Sequence, residues 1–373
     1  MFMYGSVVAQ RIGSYRDVLV LREDHPSHED VFSAEVEDGT IRIKVLACGL
    51  DFPTMLVMEG KHMMKKSPPF VPGSDVCGVV SAVGSDARDF DISIGDIVFG
   101  VSQTGAMSEY ALMLLENAYK VPKGVSPAIA AGFEMNYGTT YHGLVDLANL
   151  KKGETLLVLG ASTLYFLSLS LLLYEHELKQ TNKHIGGGVG MAAIDIGKAL
   201  GARVVACASS SEKLEMCRSA GADILINYAE GDFKKALKKH RVYGSVDVVY
   251  DPVGGKFSEP SMRALAWGGR FVVIGFASGG SNPKSGIPKI PLNLALLNER
   301  KILGVFWGAW KMQHCDENRE NMDKMMSLVS SGTLKPKITK LYEINDFMQA
   351  FDDMSNRRVM GKVCLAIDRR ARM

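Results

Sequence analysis

Thr155-Leu156-Leu157-Val158-Leu159-Gly160-Ala161 and Gly187-Gly188-Val189-Gly190 are the two stretches on which the fold of this chain turns. The first is a short, mostly apolar run closing on glycine, the pattern of a strand buried on both faces. The second opens a segment, Met191 to Leu200, whose apolar residues recur at helical spacing. A strand, a glycine turn and a helix in that order bring backbone N–H groups against a pyrophosphate, provided that the turn is tight. Here roughly two dozen residues, 163–186, stand where a residue or two would join the pieces.

Downstream of this unit, strand and helix alternate. Strands are expected at 155–159, 203–208, 223–228, 246–251, 270–276 and 302–307, with helices at about 190–200, 211–220, 232–241 and 256–267. Apolar strands separated by helices imply a parallel, doubly wound sheet. Upstream, residues 1–120 read as strands punctuated by glycine and proline: Ile41 to Leu46 alternates apolar and polar, and Val76 to Val83 closes on Gly84-Ser85-Asp86. Ser126-Pro127 is a helix cap followed by proline at the first helical position, and helix resumes after a break near Asn136 through to Leu147.

Beyond Gly308 the texture changes again. Asn318 to Ser330 is helical, Phe347, Ala350, Phe351 and Met354 share a helix face behind the cap Asn345, and Lys362 to Ile367 is a last strand. The whole is expected to be an α/β protein. A β-barrel-like domain is formed by both chain ends (1–130 and 309–373), and a doubly wound parallel-sheet Rossmann domain (131–308) is interrupted at about 163–186.

Bulk properties narrow the function. With 47% apolar and 23% charged residues the chain is an ordinary globular protein, and a net charge of +2 is too balanced to point to nucleic acid or an acidic membrane. The run Thr163 to Tyr174 is well short of the roughly 20 apolar residues that span a bilayer. Cys48, Cys77, Cys207, Cys217, Cys315 and Cys364 are scattered and form no C-x-x-C pair, which suits a reducing compartment, the cytoplasm first. The N-terminus has two readings, a transit peptide carrying Arg11 and Arg16 into a mitochondrion, or a first strand pair; the second is preferred because no long amphipathic run is present.

The second strand of the sheet selects the nucleotide. An acidic residue at its end would bond the ribose 2′-hydroxyl of NAD and repel a 2′-phosphate. This chain has Ala208-Ser209-Ser210-Ser211-Glu212-Lys213, and hydroxyls with a lysine favour NADP over NAD. Tyr228 ends the next strand, either against the adenosine phosphate or as a capping aromatic. Asp251-Pro-Val-Gly-Gly255 and Gly275-Phe276 end the fourth and fifth strands, where an open sheet faces its ligand.

Taken with Phe70-Val-Pro-Gly-Ser-Asp-Val-Cys-Gly, Asn136-Tyr-Gly-Thr-Thr-Tyr, Asp195-Ile-Gly-Lys-Ala-Leu-Gly, Leu265-Ala-Trp-Gly-Gly-Arg-Phe and Gly361-Lys-Val, these residues resemble the medium-chain dehydrogenase/reductase superfamily, in its zinc-independent quinone oxidoreductase (zeta-crystallin-like) branch. The resemblance implies a GroES-like domain from both chain ends and a Rossmann domain that pairs edge to edge in a homodimer. It implies NADPH, with Lys213, Tyr228 and Arg357 at the 2′-phosphate, and Gly160, Gly187, Gly188, Val189, Gly190 and Ser210 around the rest of the adenosine and pyrophosphate. Tyr137, Gly275, Phe276, Phe306 and Trp307 are assigned to the cofactor as well.

Zinc is not expected. Where zinc-dependent relatives have cysteine this chain has Asp51, and where they have Gly-His-Glu it has Gly73-Ser74-Asp75, so the soft and imidazole ligands are gone. The implied reaction is NADPH-dependent reduction of a quinone or an α,β-unsaturated carbonyl compound, of the quinone oxidoreductase or enoyl reductase class. Without a metal, charge developing on the substrate oxygen must be met by hydrogen-bond donors. The candidates are Asp51, His62 and Thr140. The family pattern A-x-G-x-N-x-x-D followed by a tyrosine is altered here to Asp51, Thr54 and His62, so the substrate does not carry over. His62 is either a proton donor or a surface histidine beside Lys61. Asp51 is either an acceptor for nicotinamide or ribose, or a strand-end turn residue. Tyr137 and Thr140 match positions facing the nicotinamide, or cap a helix.

Deleting 163–186 restores the fingerprint as Gly160-Ala161-Ser162-Gly187-Gly188-Val189-Gly190. The segment is read as translated intron or a gene-model artefact, with a lineage-specific loop as the other possibility. Lengthening a loop from about 4 to about 28 residues costs only about 1.7 kcal/mol, small beside the roughly 5–15 kcal/mol of a stable domain. The fold therefore tolerates the insertion better than the cofactor turn does, and an alternative function is a dinucleotide-binding or interaction protein with impaired catalysis.

Overall fold

The computed structural model describes residues 5–22, 36–61, 65–84, 90–160, 188–279, 286–356, 358 and 361–372. The inserted segment 163–186, His62, Gly187 and Arg357 lie outside the described residues. The chain divides into two compact units: Met1–Met135 with His314–Asp353 and Lys362–Met373, and Asn136–Gln313 with Met354–Gly361.

In the first unit, β1 (Ser6–Ala9) pairs antiparallel with β2 (Leu19–Arg22), the strand pair expected at the N-terminus. The main sheet contains β3 (Thr40–Leu50), β4 (Asp75–Val83), β5 (Ile97–Val101), β6 (Tyr110–Leu114) and β7 (Ala118–Lys120). Two strands from the far end of the chain, β14 (Ile338–Glu343) and β15 (Lys362–Ala366), complete the order β14-β15-β3-β4-β5-β7, with β6 also on β3. β3 is the hub because Ile41, Ile43, Val45, Ala47 and Cys48 are all fully buried, so both of its flanks can carry partners. The sequence pattern misses β14: half of it is exposed and its apolar residues do not alternate cleanly.

Helix Phe52–Met58 follows β3 directly, with Asp51 as its cap and a proline in its first turn. Helix Pro127–Ala131 starts where expected, the Ser126 hydroxyl accepting from the Ile129 amide at 3.4 Å. The break that follows falls at Gly132 and Phe133 rather than near Asn136. Helix Glu134–Tyr141 then runs on into a wider π turn, His142–Leu147.

In the second unit, β8 (Thr155–Val158), β9 (Arg203–Ala208), β10 (Ile224–Asn227), β11 (Val246–Asp251), β12 (Leu265–Val273) and β13 (Lys301–Gly304) form one parallel sheet in the order β10-β9-β8-β11-β12-β13. Helices Gly188–Ala199, Ser211–Ser219, Phe233–Lys239 and Ser258–Ala264 connect the strands. Leu157, Val205, Cys207, Val249 and Phe271 lie buried in the packing between sheet and helices. The winding reverses between β8 and β11, which are hydrogen-bonded neighbours, so a crevice opens at their carboxyl ends.

Two boundaries depart from the sequence reading. β12 begins at Leu265, not 270, because its first residues pair with Val246 before a bulge that Gly268 (φ +68°) accommodates. The last strand stops at Gly304, since β12 offers no partner beyond Val273; Val305 makes the final ladder bond to Val273 at 3.0 Å. Phe306 therefore leaves the strand, and Trp307 begins a helix to Gln313. Cys48, Cys77, Cys207, Cys217, Cys315 and Cys364 are all free thiols. Among the described residues, no helix is long and apolar enough to cross a membrane.

Candidate active site

At the crevice of the second unit, β8 runs out at Gly160, which takes φ +54°, a conformation that favours glycine. The described chain resumes at Gly188, the first residue of helix Gly188–Ala199, which packs against β8. A side chain at Gly188 would overlap the Asn136 carboxamide. Gly190 is buried, and the Val189 carbonyl accepts from the Thr140 hydroxyl at 3.3 Å.

Thr140 holds the scaffold together. Its fully buried hydroxyl also donates to the Asn136 carbonyl at 2.7 Å and sits 2.9 Å from the Tyr250 hydroxyl on β11. Tyr137 donates to Asp195 at 2.7 Å, tying helix Glu134–Tyr141 to helix Gly188–Ala199. These bonds engage both hydroxyls in joining elements around the crevice.

The carboxyl end of β9 carries the polar group predicted to meet a 2′-phosphate. Lys213, only 4% exposed, donates to Ser209 at 3.2 Å. Ser210 caps helix Ser211–Ser219 by position, yet its side chain makes no capping bond and its buried hydroxyl has no hydrogen-bond partner. A buried hydroxyl without a partner is costly unless something else meets it. Tyr228 lies beside this end, its amide donating to Ala208, but its ring is buried against Phe257 (centroids 4.5 Å apart) and Phe233.

Asp251, at the end of β11, accepts from the amides of Val253 and Gly254 and from the Ser258 hydroxyl, all within 2.8 Å, so its carboxylate shapes its own loop. Gly275 follows β12 with its amide 3.4 Å from the Asp251 carbonyl, Phe276 is half-exposed, and Phe306 is exposed. Trp307 is buried beneath the Lys311 ammonium, 5.0 Å from its ring centre.

In the first unit, Asp51 is buried at the end of β3. One carboxylate oxygen, Oδ1, accepts from the Thr54 amide at 2.9 Å and the Thr54 hydroxyl at 2.8 Å. The other, Oδ2, is buried with no hydrogen-bond partner. One carboxylate thus caps a helix and still presents an unsatisfied acceptor, so the turn role is present and the acceptor role stays open. Asp75 opens β4 and pairs with Lys362 of β15 at 3.3 Å, both of them buried. Burial pushes the Asp75 carboxyl up to about 7 against the pull of Lys362. The sequence reading used Asp75 only as a missing zinc ligand and quoted Lys362 only within a motif. The signal for the pair was a lysine and an aspartate each opening an otherwise apolar strand. Among the described residues, no three His, Cys, Asp or Glu side chains are grouped so as to hold a metal ion.

Residues 37–123 match the alcohol dehydrogenase GroES-like domain, and residues 188–331 match the zinc-binding dehydrogenase family. A quinone oxidoreductase-like protein 2 homolog of Nematostella vectensis is 32% identical, the alignment covering 94% of this chain and 89% of that protein. The Bos taurus quinone oxidoreductase-like protein 2 is 30% identical over 91% and 88%. The crystal structure of Escherichia coli quinone oxidoreductase complexed with NADPH superposes with a TM-score of 0.77 at 25% identity, covering 97% of this chain and 99% of that one. Fold and strand-end residues together define an oxidoreductase built from a GroES-like barrel and a Rossmann sheet. The chain belongs to the medium-chain dehydrogenase/reductase superfamily, and its similarity runs to the quinone oxidoreductase-like protein 2 group.

Proposed function

We propose that this protein is a zinc-free, NADPH-dependent reductase of quinones or α,β-unsaturated carbonyl compounds. The observation that carries this reading is the end of β9, where the buried Ser210 hydroxyl lacks a partner next to the Ser209–Lys213 pair. Hydroxyls and an ammonium fit a phosphate, and no carboxylate stands where NAD-type sites need one. Ser210 and Lys213 would hold the 2′-phosphate together with Arg357, Tyr228 would flank the adenosine, and Gly160 with the Gly187–Gly190 turn would hold the pyrophosphate. When bound, the nicotinamide supplies the hydride. Tyr137, Gly275, Phe276, Phe306 and Trp307 are proposed to frame the nicotinamide half, with Thr140 fixing the helix that carries Tyr137.

Asp51 is the proposed proton-handling group, because its second oxygen is buried and unsatisfied. His62 is a further candidate for the same task. Two features argue against zinc: Asp51 caps its helix and Asp75 is paired with Lys362. Copies are proposed to associate along β13, which has no strand partner on its outer edge among the described residues and carries exposed Ile302, with Leu292, Leu296 and Leu297 exposed shortly before it in the sequence. The free thiols suit a reducing compartment such as the cytoplasm.

The test is NADPH consumption with an ortho-quinone and with an enone, alongside nucleotide binding followed by fluorescence. Turnover of either substrate is the expected result. Binding without turnover would favour the second reading, a dinucleotide-binding protein impaired by the insertion at 163–186, and the absence of both would overturn the first.

A further inference from the structure

Among the described residues, one buried cluster of the first unit holds more carboxyls than ammonium groups. β3 brings Cys48 and, just past its end, Asp51, β4 brings Asp75, and β15 brings Lys362 and Cys364; each interacts electrostatically with one or more of the others. Burial raises both thiols, Cys364 to about 12 and Cys48 well above its ordinary value, so they stay neutral. Burial lowers Lys362, but Asp75 and Asp51 together more than restore it, so it stays charged. Asp51 and Asp75 then share one ammonium.

Geometry brings them together. Val363 of β15 pairs with Leu50 of β3, so Lys362 and Asp51 are the next residues along that antiparallel ladder. Gly49 leaves the space: a side chain there would overlap the Ala131 carbonyl and press within 3.1 Å of both Asp75 Cβ and Lys362 Cε. Asp75 Oδ1 and Asp51 Oδ2 are both buried without hydrogen-bond partners. For Asp75, burial disfavours the ionised form, and a protonated carboxyl carries a donor of its own.

We propose that Asp51 and Asp75, gathered around Lys362, retain one exchangeable proton at neutral pH and that Asp51 delivers it to the substrate. The delivery half rests on the reductase reading above; the retention half does not. The balance is simple. Reduction leaves an electron pair on the substrate oxygen or on the carbon next to its carbonyl. The retained proton passes from Asp75 to Asp51, the O–H bond at Asp51 breaks as the proton bonds to that pair, both carboxyls are left as carboxylates facing Lys362, and a proton from bulk water refills the cluster. No carboxyl changes oxidation state.

The test is infrared spectroscopy of the whole protein, titrated across neutrality in H2O and in D2O. A protonated-carboxyl carbonyl band that shifts in D2O and bleaches with a midpoint near 7 is expected, since that is where burial places Asp75. The same band should vanish in Asp75→Asn, which leaves the Lys362 ammonium to balance Asp51 alone. A band absent from the wild type at mildly acidic pH, or persisting in that variant, overturns retention. In an active preparation, the pH profile of kcat should fall through the same midpoint and flatten in Asp51→Asn, with NADPH affinity within twofold of wild type; a profile that does not track the band overturns delivery. A band seen in a protein that turns over neither substrate supports retention and refutes the reductase reading, which keeps the two failures apart.

Discussion

Arg270 holds Glu154 with two parallel hydrogen bonds, Nη1 to Oε1 at 2.9 Å and Nη2 to Oε2 at 2.6 Å. The same guanidinium donates from Nε to the Ala148 carbonyl at 3.0 Å. A residue of β12 thus fixes the loop by which the chain enters β8, and the pair is mostly buried, at 15% and 23% side-chain exposure. Arg270→Leu leaves Glu154 without its fork, and the expected loss is about 2–4 kcal/mol, between a surface and a buried pair. Denaturant midpoints measure it. Burial alone would raise the Glu154 carboxyl, but the Arg270 bonds and the Lys151 amide hold it below its ordinary value. A lowered acid stabilises fully above its unfolded value of about 4.3 and loses that contribution as pH falls through the folded one. Thermal unfolding of the wild type should therefore weaken more steeply on acidification than that of Glu154→Gln.

Lys213→Ala should separate the two nucleotides. The substitution removes a charged donor beside Ser209 and Ser210, and a charge-assisted bond is worth about 1.5–3 kcal/mol, or roughly 10- to 150-fold in affinity. NADPH binding is expected to fall by that order while NADH binding changes little. Equal losses for both would remove the phosphate role from Lys213.

Excision of residues 163–186 should tighten NADPH binding, because it joins Ser162 to Gly187 and recreates the short glycine turn. Fluorescence titration of the two proteins side by side measures the difference, and equal affinities would show that the insertion does not impair the turn. Abundant transcript carrying the whole segment would rule out an artefact of gene prediction.

Ile302→Lys places a charge at the outer edge of β13, shortly after exposed Leu296 and Leu297 in the sequence. If copies associate there, sedimentation should shift from dimer toward monomer with the far-ultraviolet spectrum unchanged. An unaltered dimer would direct the search to another face.

The parallel sheet was legible because β8, β9 and β11 are buried on both faces and appear as unbroken apolar runs between helices. The edges were not. β13 and β14 are partly exposed, so no continuous apolar run marks their limits, and the partner strand decides where they stop. The polar end of β9 was legible because the residues proposed to meet a phosphate are adjacent in sequence, Ser209 to Lys213. The Asp51–Asp75–Lys362 cluster was not, since three strands far apart in numbering create it and only the Gly49 gap lets them meet. The contacts of Thr140 were not legible for a similar reason: its partner Tyr250 lies on a strand whose distance in the fold no local pattern reports.

The association proposed for the flank of β13 would also tie heat resistance to dilution. Where a second copy caps such a flank, mass action makes the melting temperature climb with the logarithm of protein concentration, so a single scan describes only the sample in the cuvette.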